Sequence, residues 1–279
     1  MYENILFKSG DDYMDIRDYM AIEGEKPLDN IKPDGGFCGI FRTIGIIGDS
    51  LSSGEFEGMS NEGLRSCHDM YEYSWGQYIA RAAGLTAYNF SRGGMTAMEY
   101  IKSFGAERGF WDPSLACQAY IFALGVNDLY GAKLEIGTAD DAFSDVDNNT
   151  FAYWYGQVIR RYREIQPKSR LFLVSMPRNS EDPNADDNKL EAAHSKLLNE
   201  IAERLDFCYV IDLFKYAPAY KTEEFKRNFH MADHMNPAGY KLTAYFISSY
   251  IDYIIRHNPD DFHQVPFIGT DIYNKNYKY

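Results

Sequence analysis

Residues 43–54 read TIGIIGDSLSSG, a short apolar run that stops at Gly48, Asp49 and Ser50. A run of this length followed by a turn is typical of a strand buried in a protein core. Similar runs recur at four other places in the chain, namely 86–90 (TAYNF), 119–124 (AYIFAL), 171–176 (LFLVSM) and 207–213 (FCYVIDL). The sequence therefore predicts five core strands.

Helix-like stretches separate these strands. They lie near 74–84, 95–104, 151–165 and 186–205, and a fifth runs from Pro237 to about His257. Alternating strands and helices predict a parallel sheet, because each parallel strand needs a crossover, and right-handed crossovers place helices on the sheet faces. We expect an α/β protein, a three-layer α/β/α sandwich with a five-stranded, mainly parallel sheet. Ligands bind such sheets at the carboxyl ends of the strands.

The predicted strands and helices divide the chain into three segments. Residues 41–257 make the α/β domain. Residues 1–40 do not fit the alternation and are expected to form an N-terminal extension, either an edge hairpin or a wrap. Residues 258–279 are expected to be a C-terminal tail.

The composition is that of a globular protein, with 45% hydrophobic and 25% charged residues among 279. Its 28 basic and 41 acidic residues give a net charge of −13, which repels phosphate backbones and anionic membrane surfaces. We therefore expect neither a nucleic-acid nor a membrane partner. The four cysteines lack CxxC spacing and the first residues lack a signal-like apolar run, which together favour a cytoplasmic protein with free thiols.

Three loops at the expected binding edge carry residues suited to acyl transfer. The first loop holds Ser50, whose hydroxyl would face the cleft beside backbone N–H groups. The second, NFSRGGMTA, offers Gly94, and the third, LGVND, offers the side-chain amide of Asn127. Singly, each residue has an equally good structural role in a helix cap, a glycine turn or an Asn-Asp turn. Together they form the set that holds an oxyanion.

A general base is also needed, and His234 is the best placed of six histidines. It lies between the fifth strand and the last helix, close to a helix start marked by Asn236 as N-cap and Pro237 at the first helical position. His230 shares this edge without the same anchoring. His194 is expected on the surface of its helix.

These residues resemble the four sequence blocks of the SGNH (GDSL-type) hydrolase superfamily. GDSLSSG carries Ser50 as nucleophile, NFSRGGMT carries Gly94, GVND carries Asn127, and HMNPAGY carries His234. The resemblance extends over residues 42–250. It implies a flavodoxin-like fold, no metal or other cofactor, and hydrolysis of small esters or thioesters through an acyl-enzyme.

The chain departs from that pattern at the catalytic acid. The family places an Asp three residues before the His, but Met231 stands there. Asp233 directly precedes His234, and adjacent side chains usually diverge. Two mechanisms remain open: a Ser–His dyad with the imidazole held by a backbone carbonyl or water, and a triad completed by Asp233 or another carboxylate. The dyad is slightly favoured.

The substrate is less well specified. Arg92 and Arg178 lie in loops of the binding edge, where they could hold an anionic group, although structural ion pairs are their commoner role. Asp49, beside the nucleophile, is a third candidate for substrate binding. Aromatic side chains at Tyr71, Tyr73, Trp75, Tyr130 and Trp154 would suit sugar rings or simple packing.

We expect a serine esterase acting on small ester bonds, and a carbohydrate O-acetyl esterase is one form of it. The alternatives are a lipase or thioesterase, an acyltransferase, and a non-catalytic sugar- or acyl-binding protein with a degraded triad. Retention of Ser50, Gly94, Asn127 and His234 argues against the last, because a binding module needs no nucleophile and base together. The oligomeric state is not predicted.

Overall fold

The computed structural model describes residues 20–274 and 276. Nine strands are found in this part of the chain: β1 Thr43–Gly48, β2 Glu55–Met59, β3 Arg65–Asp69, β4 Thr86–Ser91, β5 Ala119–Ala123, β6 Arg170–Val174, β7 Cys208–Ile211, β8 His230–Met231 and β9 His234–Met235. Five of them form one sheet in the order β4-β1-β5-β6-β7, in which every pairing is parallel. The five predicted core strands are all found.

Within the described residues, ten α-helical segments accompany the strands: α1 Ser50–Ser53, α2 Trp75–Ala83, α3 Ala97–Glu99, α4 Gly105–Glu107, α5 Ala139–Ala142, α6 Phe151–Ile165, α7 Lys189–Ala202, α8 Leu213–Tyr216, α9 Glu223–Phe229 and α10 Pro237–His257. The predicted helix near 95–104 is broken, since α3 continues into a π-helical turn at Tyr100–Phe104 before α4. The other four predicted helices match α2, α6, α7 and α10.

The sheet separates two hydrophobic cores, because successive side chains of a strand point to opposite faces. Ile46 of β1 packs with residues of α2 and α10, among them Trp75 and Ile247. Its neighbour Ile47 packs on the other side with residues of α6 and α7, among them Tyr155. The molecule is therefore the three-layer α/β/α sandwich that the sequence predicts.

The chain order of the sheet strands is that of a flavodoxin-like fold, with β1 in the second position. The connection from β1 leads outward to β4, and the chain then crosses back to β5 on the other side of β1. At such a reversal the loops after neighbouring strands diverge and open a crevice at their carboxyl ends. Here the crevice lies between the loops that follow β1 and β5.

In the part of the chain that the structure describes, two smaller sheets lie outside the main one. Strands β2 and β3 form an antiparallel hairpin directly after α1, and β8 and β9 form a two-residue ladder before α10. Neither of them is predicted from the sequence.

Residues outside the α/β alternation also pack on it. In residues 20–40, the Lys32 amide donates to Ser249 Oγ at 2.8 Å and the Phe37 amide to Asp252 Oδ1 at 2.8 Å, so this segment lies against α10. Phe262 and Val265, beyond α10, are buried in the core on the same side of the sheet. The remainder of the predicted N-terminal extension, residues 1–19, lies outside the described residues.

Candidate active site

The turn from β1 into α1 positions Ser50. Asp49 has an extended backbone and caps α1, its carboxylate accepting the Leu51 amide at 3.1 Å. A side chain at Gly48 would lie 2.1 Å from Ser52 Oγ, so only glycine fits at the end of the strand. Ser50 is thereby held half-buried at the first position of the helix, on the edge where ligands bind.

Gly93 and Gly94 follow β4 on the neighbouring loop. Gly94 is exposed, has φ +73°, and has no atom within 4 Å of the place a Cβ would occupy, so its backbone faces open space. Gly93 differs, because a Cβ there would lie 1.8 Å from Glu55 Oε2. The loop thus leaves one glycine open to a ligand and uses the other to make room for a carboxylate.

Asn127 begins a π-helical turn after β5 and reaches toward the Gly94 loop. Its Nδ2 donates to the Met95 carbonyl at 3.2 Å. Fully buried Asp128 ties the same two loops together, since its carboxylate accepts the Ala97 amide at 2.9 Å. Two loops from different strands are therefore held in fixed relation beside Ser50.

His234 lies in the tight β8–β9 ladder, opposite Met231. Ala232, in the turn, has φ +57°, a strained conformation for a residue other than glycine. Asn236 then caps α10 by accepting the Gly239 amide at 2.9 Å, with Pro237 at the first helical position. The helix start that the sequence predicts thus fixes the backbone beside His234.

Two carboxylates of β2 flank the His234 ring. Glu57 Oε1 lies 2.7 Å from Nδ1, and Glu55 Oε1 lies 3.2 Å from Nε2. Neither glutamate is among the site residues predicted from the sequence. The one local signal is the alternation Glu55-Phe56-Glu57 before the polar SNEG turn, and its single apolar residue is too little to predict a strand.

A cavity of about 240 Å³ brings several candidate residues together. Ser50, Asn127, Arg178, Asp233 and His234 all line it. Among the hydrogen bonds of the described residues, none joins Ser50 Oγ to His234. A second cavity of about 70 Å³, mainly apolar, adjoins the first through shared residues such as Leu51 and Met176, and Asp49 contributes to its wall.

Asp233, a candidate acid, turns its side chain to solvent. Its backbone amide donates to Glu57 Oε1 at 3.1 Å, and no hydrogen bond of the described residues joins its carboxylate to the His234 ring. The carboxylate that the ring contacts through Nδ1 comes instead from Glu57.

The two candidate arginines are engaged in structural contacts. Arg92 pairs with Glu99 at 2.6 Å and lies over the Phe104 ring. Arg178 donates to the backbone carbonyls of Phe214 at 2.6 Å and Ala217 at 3.0 Å. Of the two, only Arg178 lines the larger cavity.

The surroundings of the acidic groups at this edge shift their pKa values. Desolvation raises the pKa of Asp49 to about 7 and that of Asp128 to about 6. Glu57 differs, because its hydrogen bond to His234 holds its pKa below the usual value.

Within residues 20–274 and 276, no group of three or more His, Cys, Asp and Glu side chains is arranged to hold a metal ion.

His194 is buried, so the prediction that it lies on the surface of its helix is wrong. Its side chain is fully enclosed on α7, its Nδ1 accepts the Met176 amide at 3.2 Å, and desolvation lowers its pKa to about 4. The spacing shows why, because His194 follows Leu190 by four residues and precedes Leu197 by three, which places it on the apolar face of the helix.

Some of the aromatic candidates for sugar stacking are buried in the cores, and others are exposed. Trp75 and Trp154 are buried in the two cores. Tyr73 is exposed but packs edge-on against Phe56. Tyr130 is exposed and lines the larger cavity.

In the described part of the chain, none of the helices is long and apolar enough to cross a membrane.

Comparison with solved structures finds the same fold in several esterases. A carbohydrate esterase family 2 enzyme plus carbohydrate binding domain from Corynascus thermopiles (Myceliophthora fergusii) superposes with a TM-score of 0.54 at 15% identity, over 75% of this chain and 65% of that one. A family two carbohydrate esterase from Clostridium thermocellum, in complex with cellohexaose, gives 0.54 at 16%, over 79% and 65%. The chain thus spans about two thirds of the length of both.

A family 3 carbohydrate esterase from Clostridium thermocellum gives a TM-score of 0.50 at 16% identity, over 77% of this chain and 97% of that one. At identities this low, the superpositions show a shared fold and nothing more. No curated protein matches the sequence. The model of the GDSL-like Lipase/Acylhydrolase family matches residues 46–242, which include Ser50, Gly94, Asn127 and His234. The chain therefore belongs to the GDSL-like lipase/acylhydrolase family of hydrolases.

Proposed function

We propose that the protein is a serine esterase that hydrolyses small ester bonds through an acyl-enzyme. The observation that carries this proposal is that Ser50, Asn127 and His234 line one cavity, at the crevice between the β1 and β5 loops. The residues proposed as nucleophile, base and oxyanion donor therefore share the edge at which open α/β sheets bind their ligands.

In the proposed mechanism, His234 takes the proton of Ser50 as the serine oxygen attacks the ester carbonyl. Nδ1 is engaged by Glu57, which leaves Nε2 to accept that proton. Nε2 now faces Glu55, so the Glu55 carboxylate has to give up this position to Ser50. The protonated ring then donates to the leaving alcohol, and it later activates the water that releases the acyl group.

Three N–H donors are assigned to the tetrahedral oxyanion: the Ser50 amide, the Gly94 amide and the Asn127 side chain. Asn127 already donates one hydrogen to the Met95 carbonyl. An amide NH₂ carries two hydrogens, so this bond orients the group and leaves the second for the substrate.

A short acyl group on a polar alcohol is the substrate that suits this site. The apolar cavity of about 70 Å³ that adjoins the Ser50 cavity at Leu51 has room for an acyl group of a few carbons. The larger cavity is lined by polar residues such as Tyr130, Asn179 and Glu191. Tyr130 and Asn179 both donate to Glu191 Oε1, and Glu191 Oε2 has no partner among the described residues, so this group can accept a hydrogen bond from a hydroxylated alcohol. We therefore favour a carbohydrate O-acetyl ester, and carbohydrate esterases are among the proteins that share the fold.

The deciding experiment compares wild type with Ser50→Ala on acetylated sugars and on a chain-length series of p-nitrophenyl esters. We expect the fastest turnover on the shortest acyl groups and no measurable hydrolysis by Ser50→Ala, whose circular dichroism should match that of wild type. A serine-directed phosphonate should label Ser50. An active Ser50→Ala protein would refute the proposal.

A further inference from the structure

We propose that Glu57, supplied by the β2–β3 hairpin, is the carboxylate that orients His234 and stabilises its protonated form during turnover. This inference rests on the proposed esterase function. It replaces both the dyad and the Asp233 triad with a triad whose acid comes from a distant segment.

The contact between Glu57 and the ring has the geometry of a strong hydrogen bond. Oε1 lies 2.7 Å from Nδ1, within the range for a charged acceptor. An ionised carboxylate only accepts hydrogen bonds, so Glu57 selects a ring with the proton on Nδ1. The Nε2 lone pair then serves as the base once Glu55, 3.2 Å from Nε2 in this structure, yields that position to Ser50. Nδ1–H is the tautomer a general base acting through Nε2 requires.

The same oxygen is fixed by a second donor. The Asp233 amide reaches Glu57 Oε1 at 3.1 Å, so the carboxylate links two adjacent residues of the β8–β9 turn. Only 11% of the Glu57 side chain and 19% of the His234 side chain are exposed. Little water therefore competes for this pair, which strengthens their interaction.

The hairpin that carries Glu57 is itself anchored to the rest of the protein. Phe56 points to the opposite face of β2, where it is buried against Tyr73 and Tyr240. The Tyr240 hydroxyl also donates to the Glu55 backbone carbonyl at 2.7 Å. Because side chains alternate along a strand, burial of Phe56 turns Glu55 and Glu57 together toward His234.

Electrostatics agree with this geometry. The hydrogen bond to His234 lowers the pKa of Glu57, and the Asp233 amide and the charge of Arg65 act in the same direction. The carboxyl therefore stays ionised wherever the base is active. Met231, at the position of the usual family acid, is 41% exposed and has no carboxylate to offer.

The test measures kcat, KM and the pH profile of Glu57→Gln, with Glu57→Asp as the conservative variant. Glu62→Gln, in the exposed turn of the same hairpin, is the matched control. For Glu57→Gln we expect kcat to fall about a hundred- to ten-thousand-fold, as for the loss of a triad carboxylate, with KM changed only a few-fold. Glu57→Asp should recover part of the loss, and Glu62→Gln should match wild type.

The pH profile separates a catalytic charge from a merely structural contact. The titratable groups around the ring are Glu55 and Glu57 on β2, His230 on β8, Asp233 in the turn and Asp49 after β1. Removing the negative charge at Glu57 makes the imidazolium less stable, so activity in Glu57→Gln should rise at lower pH than in wild type. An unshifted profile would contradict the proposal.

Asp233→Asn is the competing variant. A loss below about tenfold there, with a deep loss in Glu57→Gln, supports Glu57 as the acid. A deep loss only in Asp233→Asn would make Asp233 the acid, and near-normal activity in both would restore the dyad. Each of these three results leaves the esterase proposal standing, because that proposal is decided separately by Ser50→Ala.

Discussion

Asn127 shows how one side chain serves both structure and the proposed chemistry. Its bond to the Met95 carbonyl fixes the amide, and its remaining hydrogen is assigned to the oxyanion. Because an oxyanion donor acts mainly in the transition state, Asn127→Ala should lower kcat about a hundred- to a thousand-fold with little change in KM. Steady-state kinetics on a short-chain ester measure both constants. A raised KM at unchanged kcat would instead make Asn127 a ground-state binding residue.

The individual site residues differ in how far the sequence predicts them. Ser50, Gly94 and Asn127 each closely follow a buried strand, so the parallel topology alone brings them to one edge. His234 is predicted through the helix start that follows it. Glu57 is separated from His234 by 177 positions, and nothing local to either residue indicates their contact. A side chain that replaces a missing partner through tertiary contact leaves no spacing to recognise.

The β2–β3 hairpin is the element on which the proposed triad depends. Phe56 is its buried anchor, so Phe56→Ala should loosen the hairpin and withdraw Glu57 from His234. We expect kcat to fall about as far as in Glu57→Gln. Removing a buried Phe should also cost about 3–5 kcal/mol in the free energy of unfolding.

The measurement pairs urea unfolding with kinetics at a temperature where Phe56→Ala remains folded. Phe56→Leu, which keeps much of the buried volume, is the matched control and should retain most activity. Full activity in a folded Phe56→Ala protein would show that Glu57 does not need the hairpin anchor to hold His234.

The elements that the sequence predicts are those with a strong hydrophobic pattern. Strands buried on both faces read as apolar runs, and α6 and α10 show helical spacing across their whole length. The β2–β3 hairpin lacks such a pattern because its second strand is exposed throughout and its first buries one side chain, Phe56. Short, half-exposed strands do not show the apolar period on which strand prediction depends.

At the scale of the whole molecule, the sheet order explains where the chemistry is placed. The reversal at β1 opens a crevice that neither β1 nor β5 could form alone, and the antiparallel hairpin after α1 is an insertion at this edge. The insertion changes the surroundings of His234 while leaving the five-stranded scaffold intact. In the proposed triad, the five-stranded scaffold carries the proposed nucleophile and oxyanion donors, and the hairpin supplies the acid.

Burial of the Asp49 side chain beside the site also affects the free energy of unfolding. Burial raises the pKa of Asp49 to about 7, whereas an unfolded Asp titrates near 3.9. Between these values the folded state holds a proton that the unfolded state has lost, so this group makes the protein less stable as pH rises from about 4 to 7. His194 acts in the opposite direction, because its folded pKa of about 4 lies below its unfolded value of about 6.5.

A variant compared with wild type at each pH isolates the contribution of Asp49. Asn at position 49 can still cap α1, but it carries no charge. The free energy of unfolding of Asp49→Asn minus that of wild type should therefore increase from pH 4 to 7 by a few kcal/mol, at about 1.4 kcal/mol per pKa unit, and then level off. Urea titrations at several pH values measure this difference, with the exposed Asp260→Asn as a control for the loss of a surface charge. If the difference for Asp49→Asn did not change with pH, the carboxyl would be ionised in the folded protein throughout the range, and its burial would not set its protonation.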